Sequence, residues 1–300
     1  MGNQDILRNT AHGVMLARLH KWSIRPGFIA VGVLAMVALN ATAGALDDVK
    51  ARCRIAFGLY NDFAPFHEKG VGLEVDLANA LAAQLGVKAT IMPFEASDEN
   101  IEDELRNMVW KGHFLGWGPA DVLMHVPVAA SLMDSVKQVR IFAPYHTARL
   151  AIAHNVSQIP TLDSLARLGD LKIGAEIASI NSVLIGSAED GKFQGNLRHF
   201  RTPTLALKAL KAGEVSAVMA TRREVEAAVA GDKRFAVSAA PFPENPRTTW
   251  AVGMAVNRGS ADHADALGKA LATVRDSGAL ARIFAKHGVG YIASDVMPLK

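Results

Sequence analysis

Cysteine is almost missing from this chain: Cys53 is the only one in 300 residues. No intrachain disulfide can form, and a dithiol redox centre or a cysteine-rich metal site is excluded. Lys50-Ala51-Arg52 precedes it in place of the small apolar residues of a lipoprotein cleavage site. A half-buried thiol at the start of the first strand is the reading that remains. The sequence also lacks a Gly-x-Ser-x-Gly elbow, a phosphate-binding loop, a dinucleotide fingerprint and a His-Glu-x-x-His pair. The common nucleophile, nucleotide and zinc chemistries therefore have no motif here, and no cofactor or metal is expected. Proline is sparse, with 12 residues, while half of the chain is apolar and 20% is charged, which excludes a disordered or low-complexity protein. A surplus of one charge sign is missing too, once position is considered. The net charge is +3, but Arg8, Arg18, Lys21 and Arg25 face only Asp5 before residue 44, and from Gly44 onward acids and bases balance. The positive excess belongs to the N-terminus and gives no support for a nucleic-acid-binding surface.

What the N-terminus does contain is a run of thirteen uncharged residues, Gly27 to Leu39, after the basic stretch and before Asn40-Ala41-Thr42-Ala43-Gly44-Ala45. This three-part layout predicts a secretory signal peptide over residues 1–43, cut after Ala43 or Ala45, with Met15 opening a leader of ordinary length. A retained membrane anchor is the other reading, against which stands the need for about 20 apolar residues to span a bilayer.

The remaining chain alternates short apolar strands with amphipathic helices, the pattern of an α/β protein. Strands are expected near residues 54–59, 87–92, 121–126, 172–175, 215–220 and 249–256. Helices are expected near 73–85, 99–109, 203–210, 261–276 and 277–287. Thr202-Pro203 supplies an N-cap with proline at the first helical position, and Gly213 a stop. About 255 mature residues exceed one usual domain and predict two lobes. The boundaries expected are 44–148 for the first part of lobe one, 149–245 for lobe two, and 246–300 for the return to lobe one and the C-terminal helices. Two hinge strands and a central cleft follow from that connectivity.

The order of motifs resembles the type II periplasmic solute-binding proteins of the polar amino-acid uptake group. The resemblance rests on the aromatic loop Tyr60 to Phe66, on Gly72-Leu73-Glu74-Val75-Asp76-Leu77-Ala78, on Ala120-Asp121-Val122-Leu123-Met124, on Ala143-Pro144-Tyr145 and on Ile283-Phe284-Ala285-Lys286-His287-Gly288. It implies a two-lobed fold that closes on a small-molecule solute, with an inner-membrane ABC permease as partner. The family holds an amino acid by an arginine and an acidic residue. Here those positions fall on Ser135 and on Ser216 and Thr221, so both anchors are absent and a free amino acid is a poor candidate ligand. The run Leu105 to Val128, with Asp121-Val122-Leu123-Met124-His125-Val126-Pro127 at its core, is similar to binding-protein relatives associated with quinoprotein alcohol or methanol dehydrogenases. That narrower resemblance implies a periplasmic PQQ-dependent dehydrogenase or its c-type cytochrome as partner.

The expected cleft is lined by Tyr60, Asn61, Phe63, His125, Pro127, Tyr145 and Arg149 from lobe one and by Ser179, Asn181 and Arg222 from lobe two. His125 ends a strand, where α/β sheets present ligands, and is read as cleft lining rather than as a metal ligand with His67 or His146. Phe66 is read equally as cleft or core. Trp110 and Trp117 suit a docking patch or packing of a helix on the sheet. Glu99, Glu102, Asp103 and Glu104 are read as an acidic helix start favoured by the dipole. An exported, non-enzymatic binder is the leading function. A dehydrogenase accessory protein and a dehydratase with His125 as proton donor stay open beside it.

Overall fold

A computed structural model of the chain describes residues 45–95, 100–242 and 245–294. The leader, and Glu99 at the expected helix start, lie outside the described residues. Within them the strands are β1 (Arg54–Tyr60), β2 (Lys88–Phe94), β3 (Val122–Pro127), β4 (Val139–Asn155) and β5 (Ile173–Glu176). They continue with β6 (Leu197–Phe200), β7 (Ala217–Thr221), β8 (Phe235–Ala239) and β9 (Thr249–Asn257). Helices flank them: α1 (Ala45–Ala51), α2 (Leu73–Gln84), α3 (Ile101–Leu105), α4 (Ala130–Ser135) and α5 (Ile180–Ser187). The later ones are α6 (Pro203–Ala212), α7 (Arg222–Val229), α8 (Ala261–Asp276) and α9 (Ala279–Lys286). The α/β class and the two lobes expected from the sequence are observed.

Each lobe repeats one strand order. In the first, β2, β1 and β3 are parallel neighbours, β9 follows antiparallel to β3, and the first part of β4 closes the series. In the second, β6, β5 and β7 are parallel, the last part of β4 runs antiparallel to β7, and β8 pairs its other side. Each lobe's sheet is thus completed by a strand that the chain brings from the other lobe. β4 passes between them near Arg149, which pairs with Thr249 of β9. Trp250 packs against the cores of both lobes at this crossing.

Local sequence explains the elements. Parallel strands covered on both faces need continuous apolar runs, and Ile55, Phe57, Gly58 and Leu59 of β1 are all buried. In β4 the period of two is visible as Leu150 and Ile152 in one core and Ala151 and Ala153 in the opposite one. Helices cover both faces of the first lobe's sheet, with Leu77 and Leu81 of α2 beside Leu267 and Leu271 of α8 on one side, and Leu105 and Met108 on the other. α6 begins as expected, the Thr202 side chain accepting from Leu205 N at 3.2 Å, and ends on Gly213 in the left-handed region.

Three expectations are revised. Cys53 is exposed and sits in the left-handed region just before β1, so it is no half-buried strand thiol. The single helix expected near 99–109 is α3 followed by a wider π turn, Arg106–Trp110. No strand was expected between residues 126 and 172, where the seventeen-residue β4 runs from one lobe into the other.

Candidate ligand site between the lobes

The parallel strands of both lobes end on one cavity of about 560 Å³. Tyr60 ends β1, Pro127 ends β3, Glu176 ends β5, and Arg201 follows β6; all four line it. Such a place, beyond the carboxyl ends of the strands, is where α/β sheets bind ligands, because loops there face no neighbouring strand. Its size is that of a small-molecule site.

Two β-bulges build the first-lobe wall. The register of β3 on β9 shifts between Leu123 and Val126, and His125 there has φ 62. The register of β4 on β9 shifts between Phe142 and His146, where Ala143 has φ 49. A bulge turns a side chain out of the strand alternation. Here the pair brings His125 and Tyr145 together over α2: the Tyr145 hydroxyl donates to Glu74 Oε1 and accepts from the His125 backbone N–H at 3.0 Å. His125 Nδ1 lies 2.7 Å from the same Glu74 oxygen. A carboxylate accepts from Nδ1, which leaves Nε2 of His125 as the nitrogen available to the cavity. Burial and Glu74 hold the Tyr145 phenol well above its usual pKa, so it remains a donor. Phe63 and Phe66 enclose the His125 ring at 4.5 and 4.4 Å between centroids.

Of the residues expected in the cleft, Tyr60, Asn61, Phe63, His125, Pro127 and Ser179 line the cavity. Tyr145, Arg149, Asn181 and Arg222 sit elsewhere, each for a physical reason. Tyr145 is spent beneath His125, Arg149 is exposed on β4 at the crossing, and Asn181 is buried within the first turn of α5. Arg222 donates to Glu226 along α7 at 2.6 Å, as a solvated helix start does. Its neighbour Arg223 turns the other way: it is buried over the Phe284 ring and donates to the carbonyls of Gly290 and Thr147, at 2.8 and 3.3 Å. Burial lowers its pKa to about 10. Phe66 is core, and His67 is taken up by the Tyr60 carbonyl at 2.8 Å. Among the described residues no group of three or more His, Cys, Asp or Glu side chains could hold a metal ion.

The residues missed in sequence are acidic. Glu104 lines the cavity almost buried, and the Tyr60 hydroxyl donates to its Oε2. Burial first, and Glu104 second, keep Tyr60 well above its usual pKa and hence protonated. Glu176 faces Glu104 from the second lobe. Burial, then Glu224, then Glu104 push the Glu176 carboxyl up to about 8. Glu224, only 3% exposed, accepts from Thr221 through Oε2, while its Oε1 has no partner. Burial raises its pKa against the pull of the Thr221 hydrogen bonds. Asp62, Glu95 and Arg201 stand at the mouth, where a shallower depression holds the same three with Lys208. Ser135, in the position of the family's arginine, is exposed on α4 and bonds Glu102 and the Leu132 carbonyl.

No family model and no curated protein matches the sequence. Solved structures do match the fold. An amino acid ABC transporter substrate-binding protein from Streptococcus pneumoniae, bound to L-arginine, superposes with a TM-score of 0.61 at 22% identity over 80% of this chain and 97% of its own. The solute receptor for L-cysteine of Neisseria gonorrhoeae gives 0.61 at 18% over 82% and 93%. An ancestral amino acid-binding protein, a precursor of cyclohexadienyl dehydratase, gives 0.60 at 21% over 81% and 99%. The chain has the fold of the two-lobed periplasmic binding proteins.

Proposed function

We propose that this protein is an exported, non-enzymatic solute-binding protein whose two lobes close on a small ligand and present it to a membrane permease. The observation that carries this reading is the single wall shared by both lobes: Tyr60, His125 and Glu104 from one, Glu176, Ser179 and Thr202 from the other, around one cavity. A ligand that touches both walls stabilises the closed arrangement by the difference between its affinities for the open and closed states. The signal-peptide layout of residues 1–43 supports export. With Ser135 outside the cavity and Arg201, the only arginine among the described lining residues, exposed at the mouth, the inner wall offers a free amino acid no arginine for its carboxylate. Thermal-shift and calorimetric screening against amines, organic acids, alcohols and amino acids tests the reading. Saturable binding accompanied by compaction in small-angle scattering is the expected result; no binding by any class removes it.

A second reading, support of a periplasmic quinoprotein dehydrogenase, draws on another surface. The run that carries that resemblance exposes Phe114 by 88% and Leu115 by 71%, flanked by Trp110 and Trp117 at 37% each. Apolar groups so exposed suit a protein partner. Replacing Phe114 and Leu115 by serine is expected to leave solute binding intact and to abolish co-purification with such a dehydrogenase; unchanged co-purification ends this reading.

A further inference from the structure

We propose that the cavity takes a short aliphatic amine or guanidine without a carboxylate, its cationic group seated between Glu104 of the first lobe and Glu176 of the second. The inference rests on the solute-binding reading and specifies its ligand. Among the described residues, the inner wall carries carboxyls from both lobes and no lysine or arginine side chain. Arg201, the one cationic side chain lining the cavity among the described residues, is exposed at the mouth, where Asp62 and Glu95 also stand. Arg222 and Arg223 are engaged by Glu226 and by the carbonyls of Gly290 and Thr147. The same cavity is lined by apolar side chains suited to methylene groups, namely Phe63, Ile177, Ile180 and Pro203. Tyr60, whose hydroxyl donates to Glu104, also lines the cavity with an aromatic ring, a group that attracts cations. The N-termini of α5 and α6 also reach the wall, but Ser179 and Thr202 already occupy one N–H each, those of Ser182 and Leu205. Their half-unit dipole charges are weaker than the full carboxylates beside them.

The arrangement has a signature that an anionic or neutral ligand would not share. The groups facing Glu176 across the cavity are Tyr60, Glu104 and His125, with Glu224 behind it. Two of these are carboxyls, and with burial they leave Glu176 protonated at neutral pH when the cavity is empty. An incoming ammonium removes the repulsion, so Glu176 releases its proton to solvent as the cation arrives. Binding therefore tightens as pH rises toward 8, while the aliphatic amine itself stays charged.

Isothermal titration of the purified protein with putrescine, agmatine, L-arginine, succinate and butanol, at about pH 6.5 and about pH 8.5 and in buffers of different ionisation heat, tests this. Putrescine or agmatine is expected to bind at least about tenfold more tightly than the others. The affinity should rise about tenfold or more between the two pH values, with close to one proton released per ligand at about pH 6.5 and only about a quarter of one at about pH 8.5. Glu176→Gln should remove the proton release and weaken amine binding about tenfold, and Glu104→Gln should weaken it similarly with release retained. Melting temperatures of both variants control for folding. Tighter binding of succinate, butanol or L-arginine overturns the cation assignment and leaves the solute-binding reading standing, as does amine binding without pH dependence or proton release. Silence from all five probes overturns the assignment too, and the broader screen then decides the solute-binding reading separately.

Discussion

Thr204, on the second-lobe helix α6, donates through Oγ1 to the backbone carbonyl of Asp62 in the first-lobe aromatic loop, at 2.9 Å. The bond bridges the mouth of the cavity. In the proposed binding cycle, closing the lobes makes this bond and opening them breaks it, so it favours closure without contacting the ligand. A solvent-accessible hydrogen bond of this kind is worth about 0.5–1 kcal/mol. Thr204→Val is expected to weaken ligand affinity by about two- to fivefold, mainly through faster release, with an unchanged melting temperature for the free protein; stopped-flow dissociation rates check it.

Glu74 holds two groups with one buried oxygen, the Tyr145 hydroxyl and His125 Nδ1. Removing the phenol hydroxyl, in Tyr145→Phe, takes a donor from Glu74 and an acceptor from the His125 N–H and is expected to cost about 1–3 kcal/mol. Glu74→Ala strands both partners in a closed site and should cost about 3–5 kcal/mol. Urea denaturation of both variants reads the difference, and equal losses would show that Glu74 serves Tyr145 alone.

Burial lowers the pKa values of His146, His154 and His263 below their ordinary range. The unfolded chain therefore takes up protons that the folded chain refuses once the pH drops below about 6.5, and stability is lost as pH falls through that window. Glu176 and Glu224, raised in the fold, contribute the opposite slope, losing stability as pH rises from about 4.5 toward the folded values. The difference between the wild type and His146→Leu isolates one histidine. Both ring nitrogens of His146 lack partners, and the ring lies among Phe66, Tyr145 and Phe284. The variant should lose up to about 1.4 kcal/mol per pH unit of acid sensitivity, measured by urea titration at about pH 7.5 and about pH 5.

Gly253 runs in β9 between the two bulges. A Cβ there would stand 2.5 Å from the Phe142 carbonyl oxygen and 2.9 Å from Val128 Cγ2. Backbone on one side must move to admit it. Gly253→Ala is expected to cost about 1–3 kcal/mol and to displace the His125 turn, so ligand affinity should fall together with the melting temperature. A stable variant with intact affinity would mean that the bulges tolerate the shift.

Much of the fold was legible where one local signal was enough. Thr202, Pro203 and Gly213 bound α6 because cap, first-turn proline and left-handed glycine each act within a few residues. β4 was not, because its seventeen residues are held by β9, β7 and β8, partners far along the chain. The site divides similarly. Tyr60, His125 and Pro127 follow from strand ends and turn chemistry. Glu104 was hidden in an acidic helix start that the dipole explains, although it shares a helical face with Ile101, Leu105 and Met108, a spacing that could have revealed it. Glu176 ends the strand Ile173–Ala175, and the carboxyl-end rule that selected His125 applies to it equally.

The exchange of strands between the lobes also sets an order of completion. β4 through β8 are contiguous in sequence, so the second lobe's sheet has all its strands once residue 239 is available. The first lobe begins earlier yet keeps an open gap between β3 and β4 until β9, residues 249–257, is supplied. A chain emerging from its N-terminus thus carries its first sheet unfinished until almost the last fifth of its length. For the exported protein proposed here, a late-closing first lobe would keep the leading half unlocked during passage across the membrane.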